Sequence, residues 1–173
     1  VLNGEIPLKA HAHRADDILT AIRIAKEFGV GITIEHCTEG YLISDILLEE
    51  NISVITGPFL TDRSKIELRN QSAKTPGILS KAGIKTAIMT DHPVTPVQYL
   101  PLCAAVAVKE GMDETEALKA ITINAAEITG IADRVGSLEA GKDADIIIMD
   151  GYPLELKSRV LYTIINGQVV KRI

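Results

Sequence analysis

Lys85-Thr86-Ala87-Ile88-Met89-Thr90-Asp91-His92-Pro93 is the stretch from which the fold can be read. A run of apolar and β-branched residues stops at Thr90, Asp91 and His92, and Pro93 cannot continue a strand. Thr86 to Met89 have the length and composition of a short strand buried on both faces of a parallel sheet. An ionisable pair, Asp91 and His92, stands at its carboxyl end, where parallel α/β folds place their chemistry. Two earlier stretches end the same way: Pro7-Leu8-Lys9-Ala10-His11 and Val30-Gly31-Ile32-Thr33-Ile34-Glu35-His36. Strands closed by His, His and Asp are the beginning of a metal site at one end of a barrel.

Working outward, the remaining punctuation predicts βα units. The first strand is expected over 6–11, followed by a helix with Asp16 and Asp17 at its positive end and an apolar stripe through Ile18, Leu19, Ile22 and Ala25. Gly29 closes that helix, and a second strand over 30–36 follows at once. A helix over 40–50, a strand over 52–57 and a long polar loop over 58–74 with one helical turn come next. Thr75-Pro76 reads as the N-cap and first residue of a short helix ending at Gly83, ahead of a strand over 84–90. Strand, helix and strand in alternation predict a parallel sheet with right-handed crossovers. Helices are expected over 97–110, from 113 and over 124–129; short strands over 144–149, 160–165 and 168–171 then meet at an Asn166-Gly167 hairpin.

Composition narrows the functional classes. The chain has 173 residues, 46% of them hydrophobic, and a formal net charge of −5, so a sizeable aliphatic core is expected. A complete (β/α)8 barrel needs about 250 residues, more than are present. Mild acidity without a basic run argues against nucleic acid, and no apolar run approaches the ~18 residues of a membrane span. Two cysteines, Cys37 and Cys103, are too few and too far apart for a disulfide framework, so a reducing cytoplasmic compartment is expected.

Individually the ionisable residues are ambiguous. His11 and His13 are two apart, hence on one face of a strand, and both could reach one ion; one could equally line the mouth. His36 alone could be a hydrogen-bonded core residue, and Asp91 alone a turn former. Glu35 alternates to the opposite face from His36 and is expected to pair with a helix residue. Arg63, Glu67 and Arg69 are expected on a solvated loop face, Cys37 as a small buried residue, and His92 in a structural or substrate-contacting role.

Five pieces in order resemble the amidohydrolase superfamily, in particular its imidazolonepropionase-related branch. They are His11-Ala12-His13 with Ala15-Asp16-Asp17-Ile18, Ile34-Glu35-His36, Thr90-Asp91-His92-Pro93, the run Ala120 to Ala126, and Gly136-Ser137-Leu138-Glu139-Ala140-Gly141-Lys142-Asp143-Ala144-Asp145-Ile146-Ile147-Ile148. The resemblance implies an α/β fold: the C-terminal half of a (β/α)8 barrel, strands five to eight, over 1–132, and strands of a small β-sandwich over 133–173. It implies metal ligation by His11, His36 and Asp91, with Asp91 and His36 catalytic, and one or two divalent ions, zinc being expected. His13 is a second-choice site residue. The implied activity is hydrolysis of C–N bonds of the cyclic amide or amidine type, in a small-molecule substrate, by metal-activated water. The family's strand-one His-x-His pair would precede Val1, so this chain is expected to need the missing N-terminal half of the barrel and to be inactive alone. Open sheet edges make a homo-oligomer one way to cover them. The competing readings are a non-catalytic βα scaffold and another α/β enzyme, such as half of a phosphate-binding barrel.

Overall fold

Four short strands, β1 (Leu8–Ala12), β2 (Ile32–His36), β3 (Ser53–Thr56) and β4 (Thr86–Ile88), pair in parallel in chain order. The computed structural model describes residues 1–172, so residue 173 of the expected 133–173 segment lies outside the described residues. Helices α1 (Ala15–Phe28), α2 (Ser44–Glu49) and α3 (Thr75–Lys81) make the three crossovers. After β4 come α4 (Leu100–Lys109), α5 (Glu114–Ala120) and α6 (Ile123–Ile128), then an antiparallel sheet of β5 (Ile146–Met149), β6 (Val160–Ile165) and β7 (Gln168–Arg172).

The register explains which sheet face is buried. Ala10, Ile34, Val54 and Thr86 lie side by side across the four strands. Ile34 and Val54 are wholly buried with Ile18, Ile22, Leu47 and Leu79, which the crossover helices supply. Each such aliphatic side chain contributes roughly 1.5–3 kcal/mol on burial. A second cluster joins Ile88 to Cys103, Ala104 and Ala107 of α4 and Ala117 and Ala120 of α5. The opposite sheet face carries Lys9 beside Thr33 and His11 beside Glu35, so polar groups occupy the side away from the helices.

Local chemistry sets the ends of the elements. Gly29 adopts φ 63° and caps α1 by donating to the carbonyls of Ala25 and Lys26. Asp113 caps α5 by accepting from the N–H groups of Thr115 and Glu116. Asn166 and Gly167, both at positive φ, turn β6 into β7 as the hairpin pattern predicts. Among the described residues no helix is long and apolar enough to cross a membrane.

Three expectations are corrected. Thr75 does not cap α3: Lys74 takes that position, and Thr75 enters the helix with its hydroxyl buried. The expected helix over 40–50 begins as a 3-10 turn, Gly40–Ile43, and a Cβ at Gly40 would collide with the Cys37 sulfur. Glu35 pairs with Lys9 of the neighbouring strand at 3.2 Å, not with a helix residue, since parallel register sets both on the same face.

Candidate metal centre

His11 and His13 leave the carboxyl end of β1 on one face, as strand alternation requires. His36 ends β2, where alternation would send it toward the helices with Ile34. Its backbone instead takes φ 70°, and Cys37 after it φ 49°, so the pleat breaks and the ring swings to the His11 side. Left-handed backbone at a non-glycine residue costs about 1–2 kcal/mol, and here it falls on consecutive residues at the mouth of the sheet. The result is three imidazoles in contact, with ring centroids 4.9 Å (His11–His13), 4.2 Å (His11–His36) and 4.4 Å (His13–His36) apart.

One backbone carbonyl settles the tautomers. His36 Nδ1 lies 2.8 Å from the carbonyl oxygen of Gly57, which can only accept, so Nδ1 carries the proton and Nε2 has the lone pair. That lone pair faces His11 Nδ1 at 3.1 Å, and His11 Nε2 faces His13 Nε2 at 3.1 Å. His13 Nδ1 is held at 2.8 Å by the Thr38 hydroxyl, which donates or accepts as the ring requires. The outer nitrogens of His13 and His36 are therefore occupied while their inner ones converge. One nitrogen from each of His11, His13 and His36 lies within 4.8 Å of the other two.

These donors suit a divalent metal. One nitrogen from each ring lies within reach of a common centre, and imidazole nitrogen is a donor that divalent zinc accepts. Ligation needs neutral imidazole, and the site enforces it. Burial, helped by the neighbouring His36 and His11, lowers His13 from 6.5 to about 4, against the pull of Glu67. Burial also lowers His36, opposed by its bond to Gly57 and by the charge of Asp91.

Asp91, at φ 51° beyond the end of β4, is exposed and outside the close histidine group, but its charge acts on His36. His92 is exposed and accepts from the Val97 N–H at 3.3 Å. Cys37 is buried, and burial pushes its thiol up to about 12. Arg63 is tied to the Gln71 carbonyl at 2.8 Å, and Glu67 faces His13 Nε2 at 3.8 Å, so the loop is less detached from the histidines than expected. Thr38 and the Gly57 carbonyl escaped the sequence reading; the only hint of Thr38 was its place two residues after His36. A small cavity beside His36 is lined by Thr38, Gly57 and the buried, unpartnered Thr75 hydroxyl. A hollow of about 520 Å³ between α6 and the approach to β5 has mainly aliphatic walls and is lined by none of the histidines.

Residues 4–170 match the profile of the amidohydrolase family. The chain belongs to the amidohydrolase family. It is 48% identical to an amidohydrolase of Thermotoga maritima whose crystal structure superposes with a TM-score of 0.97 over 100% of this chain and 45% of that one. An imidazolonepropionase of Geobacillus kaustophilus is 45% identical over 75 residues, which are 42% of this chain and 18% of the relative. A Xaa-Pro dipeptidase solved with bound methionine is 27% identical, with a TM-score of 0.76 over 95% of this chain and 45% of that one. This amidohydrolase chain thus spans less than half the length of each.

Proposed function

We propose that β1 to β4 are strands five to eight of a (β/α)8 barrel, over 1–132, and that β5 to β7 belong to a small accessory β-sandwich, over 133–173. The barrel would hydrolyse C–N bonds of cyclic amides or amidines in small molecules of the cytoplasm. The observation that carries this reading is the convergence of three imidazoles at the carboxyl ends of adjacent parallel strands. His11, His36 and Asp91 would hold a divalent ion, zinc by donor type, with His13 as a further nitrogen donor. When bound, that ion supplies Lewis-acid polarisation of the scissile carbonyl and a water acidic enough to attack near neutral pH.

The chain's own groups have separate parts. With Nδ1–H committed to Gly57, neutral His36 has only a lone pair to offer at Nε2, which supports a ligand's part over that of a hydrogen-bond donor to the developing oxyanion. Asp91, exposed at the mouth, would accept the proton of the attacking water and return it to the departing nitrogen. Thr38 orients His13. The missing half of the barrel would complete the ligand set, so this chain alone is expected to show no turnover.

A second substrate reading is favoured by the likeness to the Xaa-Pro dipeptidase, which extends over 95% of this chain: the C–N bond of a dipeptide ending in proline. The full-length protein, assayed before and after chelation on lactams, cyclic amidines and Xaa-Pro dipeptides, tests both. Chelator-sensitive hydrolysis of the cyclic compounds supports the first reading, and of the dipeptides the second. Hydrolysis that survives chelation and an Asp91→Asn exchange sinks both.

A further inference from the structure

The group that nothing above uses is Glu39, a carboxylate only 7% exposed beside the histidines. Its Oε2 accepts from the Ala15 N–H at the start of α1 at 3.0 Å, and its Oε1 from the Asn70 side-chain amide at 2.7 Å. The Arg69 guanidinium stands 4.0 Å away, and the backbone N–H of Glu39 donates to the His13 carbonyl at 2.8 Å. Burial would raise this carboxyl, but the Ala15 and Asn70 hydrogen bonds and the charge of Arg69 outweigh it, so the group stays charged and well solvated by protein.

From this geometry we infer that Glu39 is a latch: it pins the tip of the 58–74 loop to the start of α1 and so holds Glu67 opposite His13. The base of the loop is tied independently, by Arg63 to the Gln71 carbonyl, by Gln71 to the Pro58 carbonyl and by Thr95 to the Leu60 carbonyl. Among the described residues, three polar contacts join the span from Lys65 to Asn70 to the body of the protein. Two of them, from Asn70 and Arg69, end on Glu39; the third is Glu67 against His13 at 3.8 Å. Because Glu39 also grips the backbone of His13, loop and histidines share one anchor. The Glu39 carboxylate bonds to none of the histidine ring nitrogens, so Glu39 is a positioning residue. The loop-to-Glu39 connection stands on its own; its consequence for a bound cation rests on the metal-site reading above.

Hydrogen exchange of the intact chain reads the latch without metal. The Leu68, Arg69 and Gln71 amides close the 3-10 turn of the loop tip. In Asn70→Ala they should exchange about tenfold faster, as expected for one lost charge-assisted hydrogen bond, while amides of β2 stay unchanged. Asn70→Asp, which sets two carboxylates together, should deprotect them at least as much. Adding Glu39→Gln to it should restore protection, since the exchanged pair has its amide and its carboxylate in swapped places. The amide introduced by Glu39→Gln would accept from the Ala15 N–H and donate to the carboxylate introduced by Asn70→Asp. Unchanged exchange in Asn70→Ala, or a double variant no better protected than Asn70→Asp, overturns the latch. Titration with cobalt(II) reads the consequence: Asn70→Ala and Glu67→Gln should weaken binding by the same factor, about threefold, and together by no more. Additive losses overturn the coupling to Glu67. Full-length protein that takes up no cobalt overturns the metal-site reading, while exchange still decides the latch.

Discussion

His36 shows how a single residue converts backbone strain into chemistry. Its positive φ carries the ring from the helix-facing side of the sheet to the histidine cluster, and the Gly57 carbonyl then dictates which nitrogen is free. Thr38 holds His13 through a side chain where Gly57 holds His36 through the backbone, and its hydroxyl fits either tautomer of the ring. Thr38→Val keeps the shape and removes the hydroxyl, so zinc affinity, measured by competition with a chromophoric chelator, should fall about 10–100-fold. Cys37 and Cys103 are both wholly buried, and burial raises both thiols. Neither should react with a thiol reagent in the folded chain, and both should react on unfolding; rapid labelling of Cys37 in the native state would contradict its placement. The histidines were legible because strands end on them. An i, i+2 pair says nothing about the threonine that holds His13 from the next strand's loop.

At the level of elements, the short strands matter because they set the mouth of the sheet. Gly57, at φ 130° just past β3, has no room for a Cβ, which would collide with the Met89 carbonyl oxygen beyond β4. Gly57→Ala should therefore cost about 3 kcal/mol or more in denaturant unfolding and displace the carbonyl that His36 uses. Leu79 of α3 is wholly buried under the sheet, and Leu79→Ala should cost roughly 2–5 kcal/mol. Phe28 of α1 is 65% exposed, and Phe28→Ala should stay within about 0.5 kcal/mol. Periodicity and punctuation made most of these elements readable: the Ile18, Ile22, Ala25 stripe and Gly29 mark α1 without help from the fold. Thr75 failed as a cap because Thr-Pro is a local signal, and burial of both residues under the sheet overrode it. The 58–74 loop was unreadable beyond one turn because its order comes from distant partners, chiefly Glu39 and Asn70, 31 residues apart.

On the scale of the molecule, one face of the parallel sheet is sealed by helices and the other carries charge. Lys9 bonds to Glu35 at 3.2 Å, and Thr33 donates to the same carboxylate at 3.0 Å, in a row beneath the histidines. Such a face suits the interior of a closed barrel, where paired polar groups would stay satisfied. The order of the strands was legible because strand and helix signals alternate along the chain, and a parallel sheet collects every carboxyl end on one side. Substrate choice was not, because the chain spans less than half the length of the enzymes it resembles. The central claim is that the three histidines form a metal site. Metal content by mass spectrometry, on this chain and on the full-length protein purified without chelator, tests it directly. The account predicts about one or two zinc ions per full-length chain, lost in His11→Ala and His36→Ala. Full-length protein that carries no metal and takes up none from added zinc, or variants that keep it, would contradict the account.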